Sequence, residues 1–160
     1  MKTIPLTQGK FAIVDDEDFE KLNVHKWHLQ KSANFYYYAV RRKNIRGKEI
    51  AIYMHREILG LRPTDNQVVD HIDHEGLNNR RFNIRICTNQ ENRMNSKHNK
   101  NSLSKFKGVS WHKHRRKWYA SIKVNGRSQH LGSFDSEIEA AKVYDSKAKK
   151  LCGEFACTNF

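Results

Sequence analysis

The dipeptide Asn125-Gly126 lies between two segments of alternating apolar and polar residues, "KWYASIKV" and "RSQHLGSF". An Asn-Gly pair takes positive φ at both positions, and the short connection folds its flanks back on each other as an antiparallel hairpin. Upstream, "FKGVSWH" supplies a third strand across the basic turn Lys113 to Lys117. Downstream, "SEIE" (136 to 139) has the spacing of a capping box. Ala141, Tyr144, Ala148 and Leu151 then form a helical apolar stripe closed by Gly153. The segment predicts a three-stranded antiparallel sheet packed on one helix.

Alternation on the middle strand puts Trp118, Ala120, Ile122 and Val124 against that helix and leaves Tyr119, Ser121 and Lys123 outside. Leu131 pointing inward leaves Ser128 and His130 outward on the third strand. Val109 and Trp111 inward leave Ser110 and His112 outward on the first. Lys107, Arg115, Arg116 and Arg127 rim this polar, aromatic and basic face. Such a face can enter the major groove, with side chains at base edges and rim cations on phosphates.

The charge distribution agrees. The chain has 30 Lys and Arg against 17 Asp and Glu, net +13. Residues 1 to 95 carry 16 basic and 12 acidic side chains, and residues 96 to 160 carry 14 and 5. Eleven Lys or Arg and no acid lie between Glu91 and Asp135. A stretch of one sign that long produces a field suited to phosphate backbones, so the expected partner is double-stranded DNA. Cys87, Cys152 and Cys157 are odd in number and show no C-x-x-C spacing, so neither a disulfide framework nor a zinc site is expected. With no membrane-length apolar run and no signal-peptide pattern, the chain is expected in the cytoplasm, the host's if it is phage-encoded.

The first part reads as short strands at 10–14, 26–30, 35–42 and 48–54, with short helices in "DDEDFEKL" and "MHREILGL". The polar, basic "SKHNKNSLSK" (96 to 105) reads as a linker between residues 1–95 and 106–160. The class is α+β.

The first part ends in "VVDHIDHEGLNNRRFNIRICTNQENRMN" (68 to 95). "QVVDH" is a strand that must bend or end at its Asp-His pair. "FNIRIC" (82 to 87) alternates Phe82, Ile84 and Ile86 on one face, and "TNQE" is a capping box that starts a helix at Asn89. Asp70 offers a carboxylate, His71 a base near neutral pH, and Asn92 an amide oxygen from the helix's first turn. Phosphodiester hydrolysis with one hard cation needs these parts. An Asp-His pair alone is ordinarily a polar turn; the strand order, Asn83 and Asn92 turn the reading toward a site. Asp73 and His74 read as loop residues, His74 within reach of a phosphate, and His55 as a packing residue or a contact to the phosphate backbone. Arg80, Arg81, Arg85 and Arg93 read as phosphate grips rather than partners of the few nearby acids.

Two family resemblances sharpen these expectations. Residues 104 to 160, through "FKGVSW", "KWYASI" and "HLGSFDSEIEAAKVYDSKAKKLCGEFACTNF", resemble the APETALA2/ethylene-response-factor DNA-binding domain. The resemblance implies a sheet in the major groove, with Lys107, Ser110, His112, Lys123, Ser128 and His130 near DNA-contacting positions. Several of that family's arginines and one tryptophan are replaced, so its base preference does not transfer. Residues 51 to 95 resemble the HNH endonucleases in a form with Asn as the last motif residue, as in phage and intron homing endonucleases. That resemblance implies a ββα-metal (His-Me finger) unit in which Asp70 and Asn92 bind the metal, His71 is the general base, and Asn83 holds the loop and orients His71. Oxygen ligands favour magnesium, then manganese, over zinc. The combined expectation is a DNA endonuclease leaving 5′-phosphate and 3′-hydroxyl ends. The alternatives are a non-catalytic DNA-binding regulator and an RNA-binding or structural phage component. Monomer and homodimer both remain open.

Overall fold

A computed structural model describes residues 1–32, 36–98 and 102–160. Phe35, the first residue of one expected strand, and residues 99–101 of the expected linker lie outside the described residues. The chain divides into two compact units, Met1–Cys87 and Thr88–Phe160.

In the first unit, β1 (Lys2–Pro5) pairs antiparallel with β2 (Phe11–Val14), and α1 (Asp16–Asn23) follows. The strands β3 (His28–Lys31), β4 (Tyr37–Ile45) and β5 (Lys48–Tyr53) form an antiparallel sheet in that order, and α2 (Met54–Ile58) begins directly after it. The hairpin of β6 (Val68–His71) and β7 (Ile84–Cys87) completes the unit. Ile4, Val14, Leu22, Trp27, Met54 and Ile84 lie in one buried cluster joining these elements. Arg56 ties down the segment before β6, its guanidinium donating to the carbonyls of Arg62, Asp65 and Gln67.

Most expected strands appear where the alternation placed them; β1 was not anticipated. Its single buried side chain, Ile4, gives no periodic signal. The expected alternation over 82 to 87 also breaks: β7 starts only at Ile84, Phe82 is 66% exposed, and Arg80 lies 4.3 Å over its ring.

The second unit opens with α3 (Asn89–Asn95), whose Thr88 capping box is formed in both directions. The strands β8 (Val109–His112), β9 (Lys117–Val124) and β10 (Arg127–Phe134) make an antiparallel sheet with β9 in the centre, and α4 (Glu137–Cys152) covers one face. Asn125 and Gly126 have φ of 50° and 76°, the geometry that a tight hairpin connection demands. The capping box expected at "SEIE" does not form, since Ser136 makes no side-chain cap bond; separately, Glu137 accepts from the buried Ser104 hydroxyl at 2.7 Å.

A difference from the sequence reading concerns α3. Met94 is buried with Ile122, Tyr144 and Ala148, and its carbonyl accepts from the Cys157 amide. The helix, expected to close the N-terminal part, therefore packs in the second unit.

Candidate functional site

In the first unit, β6 carries Asp70 and His71 at its end, both buried. The hairpin register places Arg85 opposite Asp70, and the guanidinium donates from Nε and Nη2 to Oδ2, each at 3.0 Å. Arg81 is likewise committed to Asp18 at 2.7 and 2.8 Å and to Glu17. This corrects the expectation that Arg81 and Arg85 avoid the local acids. The hairpin brings Asp70 to Arg85 within one stretch, whereas Asp18 reaches Arg81 from 63 residues away.

The His71 ring lies with Nε2 3.4 Å from Asn79 Oδ1. Burial holds its pKa below the usual histidine range, against the opposing pull of Asn79, Asp73 and Asp70. The neutral imidazole therefore persists to lower pH than on a surface. His55 stands edge-on to His71, ring centroids 5.0 Å apart, and both contact Tyr38. His55 is buried, with a pKa lowered to about 3 by desolvation and by its neighbours His71 and Arg56. Its Nδ1 has no hydrogen-bond partner among the described residues.

The loop from Ile72 to Asn83 is a network built on Asp73 and Asn83. Asn83 Nδ2 donates to Asp73 Oδ1 at 2.9 Å and to the Asn78 carbonyl at 2.7 Å, while its Oδ1 accepts the Asp73 amide. Asp73 also accepts from Asn78 Nδ2 and the Glu75 amide. His74 takes φ of 66°, and its amide donates to the His71 carbonyl. Gly76 presses on β4: an added Cβ there would lie 2.3 Å from the Tyr37 carbonyl oxygen. Asp73, read from sequence as a bystander, is thus a structural hub. The residue that the sequence reading passed over is Asn79, fully buried and bonded to the His71 ring. Arg80 donates to Asn78 Oδ1. Asn92, exposed on the first turn of α3, belongs to the second unit, as does the exposed Arg93.

The outer face of the second unit's sheet carries Ser110, His112, Tyr119, Ser121, Lys123, Ser128 and His130. His112 stacks on Tyr119 with centroids 4.7 Å apart, and Tyr119 meets His130 at 4.9 Å, a row of rings across all three strands. A register shift between His130 and Gly132 lets Ser133 join this face, its hydroxyl 3.5 Å from His130 Nε2. Arg115, Arg116 and Arg127 are exposed at the rim. Lys107 is placed otherwise: its ammonium donates to the carbonyls of Arg93, Met94 and Ser96, and burial lowers its pKa. It caps the C-terminal end of α3.

Asp70 offers a carboxylate oxygen of the kind a hard divalent ion takes, and its Oδ2 accepts both Arg85 donors. Among the described residues no three His, Cys, Asp or Glu side chains gather into a metal-binding group. No helix among the described residues is long and apolar enough to cross a membrane.

These features define a two-unit protein in which a hairpin bearing a buried Asp-His pair precedes a sheet with a basic, aromatic outer face. Comparison with known proteins places it. The AP2 domain family matches residues 104–154, and an AP2 domain indicates DNA binding. A protein of Acanthamoeba polyphaga mimivirus, named as an uncharacterized HNH endonuclease, is 32% identical over 152 residues, covering 95% of this chain and 76% of its own length. Protein 3.8 of Escherichia phage T7 is 34% identical over 88 residues, covering 55% of this chain and 72% of its own. An ethylene-responsive transcription factor of Arabidopsis thaliana is 39% identical over 101 residues, covering 58% of this chain and 59% of its own. No solved structure matches. The chain belongs to the family of the mimivirus protein, HNH endonucleases fused to an AP2 domain.

Proposed function

We propose that the first unit hydrolyses DNA phosphodiester bonds in a metal-dependent reaction, with His71 as general base, while the AP2 sheet holds the DNA. The observation that carries this reading is the buried imidazole at the end of β6, adjacent to the buried Asp70 and kept neutral by desolvation. With the Nε2 proton directed at Asn79, the ring carries its lone pair on Nδ1. His71 takes a proton from water, the resulting hydroxide attacks phosphorus in line, and the 3′ oxygen leaves with the bonding pair and takes a proton from solvent water, giving 5′-phosphate and 3′-hydroxyl ends. A bound magnesium or manganese ion supplies positive charge for the phosphate and the departing oxygen.

In this reading Asp70 is the carboxylate ligand, Asn83 braces the loop that Asn79 needs to reach His71, and the chain order β6, β7, α3 is that of a ββα-metal nuclease. Asn92 is assigned as the second ligand by its place in that order alone. Tyr119, His112 and His130 face base edges, and Ser110, Ser121, Lys123 and Ser128 flank them; Arg115, Arg116 and Arg127 contact phosphates.

A second reading, a DNA-binding regulator whose first unit does not cut, draws on the Asp70–Arg85 pair, because a carboxylate already neutralised by a guanidinium can serve packing alone. Incubating plasmid DNA with magnesium separates the two. Nicked or linear product formed by the wild type and absent for His71→Ala is expected. DNA bound but left intact with magnesium and with manganese sinks the nuclease reading and leaves the regulator.

A further inference from the structure

The AP2 match begins at residue 104, but the second unit begins at Thr88, and the difference is α3. The pairing of β9 shows why the helix is there. β8 pairs only with Lys117 to Ala120, so the edge of β9 from Ser121 onward has no strand beside it. The Gly108 carbonyl accepts the Ser121 amide, and α3 lies near the hairpin tip, where Gln90 Oε1 accepts the Asn125 amide at 3.1 Å. The helix α3 thus meets the sheet at the hairpin tip, next to the edge that β8 leaves unpaired. Lys107 and Met94 fasten that helix, the first through its C-terminal carbonyls and the second through the core.

Between α3 and the hairpin a groove of about 660 Å³ remains. Its lining includes Tyr144 and Gly108, with Gln90 and Arg93 from α3 and Ser121, Lys123 and Ser128 from the outer sheet face. No lining residue is acidic. Arg93 and Lys123 are exposed, and among the described residues neither side chain is engaged in an ion pair, whereas Lys107 has been withdrawn into the helix cap. Cations on both sides, amides and hydroxyls between them, and a lining shared with the DNA-facing sheet make a channel for an extended anionic chain.

We infer that this groove is an added DNA-binding subsite, in which the phosphodiester backbone of DNA held by the sheet passes between α3 and the hairpin and is gripped by Arg93 and Lys123. The helix thereby widens the footprint of the AP2 sheet by contacts that carry no base information. Arg93, expected from sequence to serve the nuclease site, serves the binding unit. The inference rests on the DNA-binding half of the function proposed above and is independent of cleavage.

The test measures affinity of the full-length protein for a short mixed-sequence duplex in EDTA, which prevents cutting, as salt is raised. Loss of one phosphate contact lowers the slope of log K against log salt by about 0.9, so between 50 and 200 mM salt the wild type should lose about 3.5-fold more affinity than Arg93→Gln. Lys123→Gln should behave alike. Lys142→Gln, which removes an equal charge from the exposed side of α4, should keep the wild-type slope. Hydroxyl-radical footprinting should show Arg93→Gln exposing sugars at one edge of the protected tract. An Arg93→Gln slope equal to that of the wild type, or a slope lowered equally by Lys142→Gln, overturns the inference, as does an unchanged footprint.

Discussion

His55 is the side chain whose burial most needs explaining. A buried polar atom without a partner costs about 1–3 kcal/mol, and Nδ1 of His55 is such an atom among the described residues. Its proton affinity is also far lower folded, about 3, than in an unfolded chain, about 6.5. Between those values the unfolded chain binds the extra proton, so stability is complete above pH 6.5 and declines as pH falls toward 3. By pH 4.5 the loss amounts to about 2–3 kcal/mol. His55→Phe removes both costs, and its melting temperature should exceed the wild type's by more at pH 4.5 than at pH 7.5. Equal differences at the two values would show that His55 is not buried neutral. That the first unit keeps such a residue edge-on to His71 accords with the role proposed for His71, at a cost in stability.

Individual site residues were legible in the sequence to different degrees. Asp70 and His71 stood out as candidates because a strand has to end if two adjacent side chains are to serve one site, and β6 does end at His71. The brace at Asn83 followed from the family likeness. Asn79 could not be found, because "NNRRFN" offers three asparagines and only the packed loop decides which amide turns toward the ring. The Asp70–Arg85 pair was hidden for another reason: it depends on hairpin register, and sliding β7 by one residue would put Arg85 on the other face.

At the scale of elements, local chemistry succeeded where the signal was self-contained. The Thr88 capping box and the Asn125-Gly126 turn need only their own residues. Ser136 illustrates one limit, since its pattern is present and no cap bond forms, and the Ser104–Glu137 bond another, since no local pattern encodes it. The edge strand β1 and the docking of α3 depend on distant partners in the same way. The elements of the second unit also differ in their tolerance of change. Thr88→Ala should cost about 1 kcal/mol through the lost cap. Gly108→Ala should cost about 2–5 kcal/mol, because φ there is 74° and a Cβ would stand 2.0 Å from the Tyr144 ring. Urea unfolding of the two variants measures this ordering; a milder effect for Gly108→Ala would mean that Tyr144 can yield.

At the scale of the whole molecule, the proposed base His71 and the sheet proposed to hold DNA lie in different units. His71→Ala should therefore bind DNA as tightly as the wild type while losing cleavage. Tyr119→Ala should weaken binding by about 1–2 kcal/mol, as loss of an aromatic contact does, and impair cleavage only at limiting DNA. Filter binding and plasmid nicking measured on both variants check the division. A binding defect in His71→Ala would refute it.

The cap that Lys107 places on α3 bears on how this module could be exchanged between proteins. A fragment cut at the family boundary, residues 104–160, would leave a half-buried ammonium without its three carbonyls and expose the apolar surface under Met94. A fragment starting at residue 88 keeps both. The shorter piece should melt at a lower temperature than the longer one, and a chimaera that borrows this sheet must borrow its preceding helix as well. The portable part is larger than the shared domain.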